Sequence, residues 1–279
     1  MWFDSPAIRS LIDLALQEDV GTGDLATEAT LRARRSGRAV VHAKSTSIFC
    51  GGKLFELVVK RFDPSLHVEL CCREGEIVLP GQQVIVLTGT VASILTAERT
   101  ALNFLQRMSG IATLTDTYCK AVKGTNAKIL DTRKTLPGYR ALDKYAVRMG
   151  GGHNHRTALD SGILLKENHV AVAGSIAYVV KSAREIGSHL LCIEVEVENL
   201  IDLQLAIDAG AEIIMLDNMN LEEMRQAVEL TAGRVILEAS GNMTLDRVRS
   251  VAETGVDYIS VGALTHSVVA ADYSLRIDP

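Results

Sequence analysis

The feature that most constrains the fold is a repeat of short apolar runs in the second half of the chain, separated by stretches with helical spacing. Six such runs occur from about residue 125 onward, and they end in Asp131, Lys166, Glu196, Asp217, Glu238 and Gly262. Strand–helix units of roughly 20 to 30 residues predict a parallel sheet that is buried on both faces. In a β/α barrel the loops after the strands form the active-site face, so these six ends are expected to meet there.

The first 110 residues have a different character, because short strands and helices occur in mixed order. Ser5 and Pro6 are typical of a helix start, and Gly21 and Gly23 predict the end of that helix near Val20. Further patterns predict a strand at 38–45, a helix at 54–61, strands at 76–81 and 84–87, and a helix at 91–108. The chain therefore divides near residue 110 into an N-terminal α/β domain and a second, repetitive one.

Composition excludes several classes of function. The 279 residues are 47% hydrophobic with a net charge of -5, and neither half is strongly basic, so no nucleic-acid partner is expected. No apolar run approaches the roughly 18 to 20 residues of a membrane span, and residues 1–6 lack the basic and apolar regions of a signal peptide. Five cysteines without a C-x-x-C pair indicate a reduced, cytoplasmic protein.

Four cations follow predicted strands or a glycine run, namely Arg133, Lys134, Arg156 and Lys166. Arginine grips a carboxylate or phosphate with two parallel hydrogen bonds, so this cluster in a protein of negative net charge indicates a polyanionic substrate. Each loop alone could be a solvated turn, and Lys166 could instead be a Schiff-base nucleophile. His153 and His155 have no third ligand at metal spacing, which argues against zinc.

Acidic and small residues end the later strands. Glu196 and Asp217 fit Mg²⁺ held jointly with substrate phosphates, although they could also stabilise a developing cation or pair with nearby lysines. Small residues after the last two strands of a barrel commonly form a phosphate site from backbone N–H groups. Those residues are Ser240, Gly241, Asn242, Val261, Gly262 and Ala263.

Taken together, these residues resemble the quinolinate phosphoribosyltransferase family along nearly the whole chain. The matching segments are 16–24, 97–103, 109–113, 131–135, 154–156, 166–169, 194–197, 216–218 and 238–241. Each segment is short, but their order and spacing together are specific to that family. One departure is visible, because Ala158 stands two residues after Asn-His-Arg, where the family pattern has glycine.

The resemblance implies a fold and an assembly. The fold is α/β, an open seven-stranded α/β barrel over 111–267 with an N-terminal α/β sandwich-like domain over 1–110. The C-terminal tail, 268–279, is expected to return to that first domain. The assembly is expected to be a homodimer or a hexamer of dimers.

The resemblance also implies substrates, a cofactor and site residues. The substrates are quinolinate and phosphoribosyl pyrophosphate, the cofactor is Mg²⁺, and the products are nicotinate mononucleotide, pyrophosphate and CO₂. Quinolinate is expected to be bound by Arg133, His155, Arg156 and Lys166, with Arg99 reaching in from a partner subunit. The catalytic residues are expected to be Lys134, Lys166, Glu196 and Asp217, of which Glu196 and Asp217 bind the metal. The 5'-phosphate is expected to be bound by Ser240, Gly241, Asn242, Val261, Gly262 and Ala263.

Three alternatives remain open on the sequence. A molybdenum-utilisation paralogue shares the fold, but the intact Asn154–Arg156 and Lys166–Asn168 segments argue against it. A Schiff-base lyase would use Lys166 as its nucleophile. A non-catalytic protein would bind phosphate without turnover.

Overall fold

The computed structural model describes residues 5–31 and 35–278, so residues 1–4 of the segment tested for a signal peptide lie outside it. The helices are α1 (Pro6–Val20), α2 (Leu25–Thr30), α3 (Gly52–Phe62), α4 (Val91–Ala121), α5 (Arg140–Met149), α6 (Glu167–Ala173), α7 (Ile176–Ile186), α8 (Leu200–Asp208), α9 (Leu221–Thr231), α10 (Leu245–Ala252) and α11 (Ala263–His266). The strands are β1 (Ser36–Ala43), β2 (Ser47–Ile48), β3 (His67–Leu70), β4 (Ile77–Val78), β5 (Gln83–Thr90), β6 (Lys128–Leu130), β7 (Ile163–Leu165), β8 (Ile193–Val197), β9 (Ile213–Asp217), β10 (Ile236–Ser240), β11 (Tyr258–Ser260) and β12 (Tyr273–Asp278).

The first of two compact units contains Met1–Leu114, Pro137–Gly151 and Val268–Pro279. Its main sheet is antiparallel, with strand order β12-β1-β5-β3, and a separate pair joins β2 to β4. The C-terminal strand β12 thus lies beside β1, with Ala39 opposite Ile277. Helix α1 has the bounds that its caps predict, since the Ser5 side chain accepts the N–H of Ile8 and Gly21 follows its last residue.

The segment 137–151 belongs to the first unit, whereas a division at residue 110 assigns it to the second domain. Two contacts with α4 explain this grouping. The ring of Tyr139 stacks on Phe104 with centroids 5.5 Å apart, and the buried carboxylate of Asp143 pairs with Arg107 at 3.1 Å. Both contacts join residues far apart in sequence, so local patterns do not reveal them.

The second unit, Thr115–Leu136 with Gly152–Ser267, is built on a parallel sheet of strand order β6-β11-β10-β9-β8-β7. The six strands predicted from the apolar runs are confirmed, and their sequential order is that of a β/α barrel. A single residue, His153, occupies the position at which a seventh strand would pair with β6. His153 donates its N–H to Ile129 O and accepts the N–H of Asp131, so it forms a single bridge beside β6.

Helix α4 extends to Ala121, so the predicted end at residue 108 is wrong. Gly110 lies inside the helix and allows a close approach of backbone. A Cβ at this position would clash with the carbonyl oxygen of Val269 and lie 3.0 Å from the Cα of Ala270.

Gly110→Ala is therefore expected to lower the free energy of unfolding by about 1–3 kcal/mol, because the methyl group overpacks a backbone contact. At an unconstrained helix position the same change would stabilise the protein by about 0.5–1 kcal/mol. The sign of the measured change therefore shows whether the backbone contact requires glycine. Urea unfolding measures it. Asn103→Ala, at an exposed position of the same helix, is the control and should change stability by less than about 0.5 kcal/mol.

All five cysteines are free, as the absence of a paired pattern predicts. Over residues 5–31 and 35–278, no helix combines the length and apolar character needed to cross a membrane.

Candidate active site

The six strand ends of the second unit surround a cavity of about 770 Å³. Its wall is built by loops that follow β6, β7, β8, β9, β10 and β11, as expected for the carboxyl ends of parallel strands. The lining side chains are both cationic and acidic. The residues are Thr132, Arg133, Lys134, His155, Arg156, Leu164, Lys166, Glu196, Met215, Asp217, Asn218, Glu238, Ser240, Gly241, Asn242, Met243, Thr244, Ser260, Gly262, Ala263 and His266.

Asp131 holds the loop that contains Asn154 and His155. Its buried carboxylate accepts Nδ2 of Asn154 at 2.6 Å and the backbone N–H of His155 at 2.9 Å. A charged acceptor shared by two donors fixes a loop more firmly than neutral hydrogen bonds would. Asp131 therefore positions the neighbouring Arg156 at the cavity wall.

The four predicted cations line this one cavity. Lys166 Nζ lies 2.5 Å from Glu196 Oε2, and Arg156 Nη1 donates to Gly162 O at 3.0 Å. Burial lowers the pKa of Arg156, and the positive charge of Arg133 lowers it further. Like charges held this close are stabilised when an anion binds.

Carboxylates lie among these cations, as the contact of Lys166 with Glu196 shows. The negative charge of Glu167 raises the pKa of Glu198, and burial, Asp217 and Glu196 raise it further. Asp217 Oδ2 accepts Nδ2 of Asn218 at 2.7 Å. Oxygen ligands with repelling charges suit a hard divalent cation.

The loop after β10 packs tightly against Asn218, so it has no room for a side chain at Gly241. Gly241 has a φ of 91°, and a Cβ there would clash with Asn218 Oδ1 and lie 2.9 Å from the backbone nitrogen of Asn218. Asn218 and Asn242 also have positive φ values, 55° and 47°, and Nδ2 of Asn242 donates to Asn218 Oδ1 at 3.2 Å. Strained backbone of this kind is maintained where neighbouring structure determines it, frequently at functional sites.

The loop after β11 lines the cavity with Gly262, Ala263 and His266. Gly262 precedes α11, and the side chain of Thr265 donates to Lys134 O at 2.6 Å, which joins this loop to the one after β6. Val261 is fully buried and donates its N–H to Leu130 O, so its backbone nitrogen is already used in the sheet.

Three ionisable side chains meet beside the cavity, the half-buried His155 and the buried Glu194 and Glu238. Nε2 of His155 lies 3.0 Å from Glu194 Oε2 and 3.9 Å from Glu238 Oε2. Burial raises the pKa of Glu238 to about 8, and the charge of Glu194 contributes in the same direction while His155 opposes it.

The structure brings together every predicted site residue except Arg99 and Val261. Arg99 lies exposed on α4 in the first unit and does not line the cavity. Thr132, Asn218 and Glu238 lie in segments that the sequence singled out, but they were not assigned to the site. His266 was missed, although it lies four residues after Gly262, one turn along a helix that begins after β11.

A parallel α/β unit with a cation-lined cavity at the carboxyl ends of its strands defines a class, enzymes that act on polyanionic small molecules. Residues 111–276 match the family model "Quinolinate phosphoribosyl transferase, C-terminal domain". Residues 24–109 match the model of the N-terminal domain of the same family. The chain belongs to the quinolinate phosphoribosyltransferase family.

Individual relatives agree along nearly the full length. The chain is 41% identical over 270 residues to a Bacillus subtilis protein named "Probable nicotinate-nucleotide pyrophosphorylase (carboxylating)", covering 97% of this chain and 93% of the relative. It is 42% identical to the chloroplastic nicotinate-nucleotide pyrophosphorylase (carboxylating) of Oryza sativa subsp. japonica, covering 97% and 78%. The structure of the nicotinate-nucleotide pyrophosphorylase from Francisella tularensis superposes with a TM-score of 0.93 at 40% identity, covering 98% and 96%.

Proposed function

We propose that the protein is an enzyme that transfers a phosphoribosyl group from phosphoribosyl pyrophosphate to quinolinate and releases pyrophosphate and CO₂. The product is nicotinate mononucleotide, a step in NAD synthesis. The names of the relatives support this reaction. The main structural support is that one cavity is lined by four cations and two carboxylates. These residues are Arg133, Lys134, Arg156, Lys166, Glu196 and Asp217.

Quinolinate is a pyridine dicarboxylate, so its binding requires several cations held in one place. Arg133 and Arg156 suit its two carboxylates, because each guanidinium can form two parallel hydrogen bonds. Lys166 and His155 line the same wall. We propose that Arg99 completes this set from a partner subunit, which makes the active form a homodimer or a hexamer of dimers.

Phosphoribosyl pyrophosphate brings negative charge at both ends. The proposed ligands of the pyrophosphate are Lys134 and Lys166, and those of the 5'-phosphate are Ser240, Gly241, Asn242, Gly262 and Ala263. Val261 contributes by holding Gly262 in place, since its own N–H is bonded within the sheet. Gly241 is needed because no side chain fits beside Asn218.

The carboxylates of Glu196 and Asp217 fit Mg²⁺, because both line the cavity and carboxylate oxygens are the ligand type that this ion prefers. When bound, the ion supplies positive charge that neutralises the departing pyrophosphate. The remaining charge on the substrates is balanced by side chains of the protein. Lys166 is paired with Glu196, an arrangement that suits an ammonium ion and not the neutral amine that a Schiff base requires.

The reaction requires two bonds to break in sequence. The pyridine nitrogen attacks the anomeric carbon, and the electron pair of the carbon–oxygen bond leaves with pyrophosphate. Positive charge that develops on the ribose is stabilised by Glu196 and Asp217. The resulting pyridinium then accepts the electron pair of the bond to the 2-carboxylate, CO₂ departs, and a proton takes its place on the ring. A cavity that excludes water favours this loss, because the leaving carboxylate is destabilised there.

The division of the chain at residue 110 and a cytoplasmic location stay predictions. The first is supported by the bounds of the two matching family domains, which meet between residues 109 and 111. The second is supported by five free cysteines.

The direct test incubates the protein with phosphoribosyl pyrophosphate, quinolinate and Mg²⁺ and measures nicotinate mononucleotide by chromatography. Omission of Mg²⁺ with added EDTA should abolish product. The proposal is wrong if product is absent with both substrates and metal present, provided that circular dichroism shows a folded protein.

Nicotinate is expected to be a poor substrate, with kcat/KM lower than that of quinolinate by at least about a hundredfold. Nicotinate carries one carboxylate, so a cation beside the second carboxylate would stay unpaired in the cavity, which costs about 1–3 kcal/mol or more. Competition between the two substrates in one reaction measures the ratio directly. Comparable turnover of nicotinate would contradict the proposed carboxylate contacts.

A further inference from the structure

The proposed reaction gives no role to Glu194 and Glu238, the two buried carboxyls that lie beside His155. The side chains of Glu194 and Glu238 are 7% and 3% exposed, and the ligand atoms of the three residues lie within 4.8 Å of one another. His155 and Glu238 line the substrate cavity, and all three residues line a second cavity of about 530 Å³. The group therefore borders the substrate cavity through His155 and Glu238.

The hydrogen bonds of the His155 ring determine its tautomer. Nδ1 accepts the backbone N–H of Arg156 at 2.7 Å, and Nε2 lies 3.0 Å from Glu194 Oε2. A neutral imidazole carries one proton, on one of its two nitrogens. Because Nδ1 is an acceptor, the proton is on Nε2, which donates to Glu194.

The two carboxyl groups differ in their distance from the ring. Glu194 Oε2 lies 3.0 Å from Nε2 of His155, within hydrogen-bond reach, whereas Glu238 Oε2 lies 3.9 Å away, too far to accept the same proton. Glu194 is therefore the carboxyl that holds the ring.

A metal ion bound by the same three side chains is the competing interpretation. An ion on Nε2 requires the proton to lie on Nδ1 instead. Nδ1 already accepts the N–H of Arg156, so two protons would meet at one short contact. The ring geometry therefore favours hydrogen bonding over metal binding.

We propose that Glu194 is a positioning residue for quinolinate, which acts by holding His155 in its Nε2–H form so that the ring fixes the backbone of Arg156 at the cavity wall. The inference rests on the proposed function, because it needs Arg156 to bind a substrate carboxylate. It adds that a buried carboxyl that is not assigned to the substrate determines the affinity for quinolinate.

The kinetic test compares Glu194→Leu with Glu194→Gln. The leucine variant should raise KM for quinolinate at least about tenfold and leave KM for phosphoribosyl pyrophosphate within about twofold. The glutamine variant should recover most of the loss, since it keeps a hydrogen-bonding oxygen. Glu212→Gln is the matched control, because Glu212 lies at the other end of the sheet, where it accepts the N–H of Ile193.

The spectroscopic test observes the ring nitrogens of His155 by ¹⁵N NMR, with the signals assigned by their loss in His155→Gln. The wild type should show the neutral Nε2–H form between about pH 6 and 8, and Glu194→Leu should shift the Nε2 signal. An Nδ1–H form, or stoichiometric Zn²⁺ or Mn²⁺ binding that moves Nε2, would overturn the proposal. Equal changes in both KM values would overturn it too, since they indicate a general structural role.

The two failures are distinguishable. No turnover by the wild type would reject the proposed function, while the ring spectrum still decides the tautomer. Normal turnover with an unchanged quinolinate KM in Glu194→Leu would reject the positioning role alone.

Discussion

Alanine at Arg133 or at Lys166 is expected to lower kcat/KM for quinolinate at least about a thousandfold, with the fold intact. Each loses a charged hydrogen-bond donor from a cavity where the substrate charge would otherwise be unpaired. Arg133 follows β6 and Lys166 follows β7, so both side chains line the cavity and lie outside the apolar core. The free energy of unfolding should fall by no more than about 1 kcal/mol, because Nε of Arg133 is buried and Lys166 pairs with Glu196.

The matched control is Lys128→Ala. Lys128 is a lysine at the opposite, amino-terminal end of β6, where its Nζ lies 5.7 Å from the ring centroid of Tyr258. Its removal should leave kcat/KM within about threefold of the wild type, as for most surface changes away from a site. Near wild-type kcat/KM in Arg133→Ala or Lys166→Ala would show that the residue does not bind substrate.

The strands of the second unit could be predicted because their signal is local. Each is a short apolar run that ends in a polar residue, and parallel strands buried on both faces require that pattern. The bounds of α1 could be predicted for the same reason, since Ser5, Pro6 and Gly21 act within one turn of the helix ends. Because carboxyl ends meet at one face, six strand ends also predicted most of the cavity.

Features that depend on tertiary contacts could not be predicted. Gly110 lies inside α4, and its missing side chain is required by the backbone of Val269, which is distant in sequence. Period-two alternation does place Glu194 on the same face as Glu196. It does not reveal that Glu194 meets His155 and Glu238, since this depends on how neighbouring strands align.

Arg99 is expected to act in trans, so an active site should contain residues of two subunits. Arg99 is exposed on α4 and the cavity is lined by residues of the second unit. In a two-fold symmetric dimer, each barrel would receive one arginine from its partner. Arg99→Ala alone should lower kcat/KM for quinolinate by at least about a hundredfold, through loss of one charged contact to the substrate.

Mixing two inactive variants tests this arrangement. Arg99→Ala and Lys166→Ala are combined in equal amounts under conditions of subunit exchange, which native mass spectrometry can confirm. Half of the dimers should then be mixed, each with one intact site, so about one quarter of wild-type activity should return. The control mixes Arg133→Ala with Lys166→Ala. Both of these residues lie in the same cavity, so every mixed dimer has one defect in each site and activity should stay absent. Exchange without recovery in the first mixture would show that Arg99 acts within its own subunit or not at all.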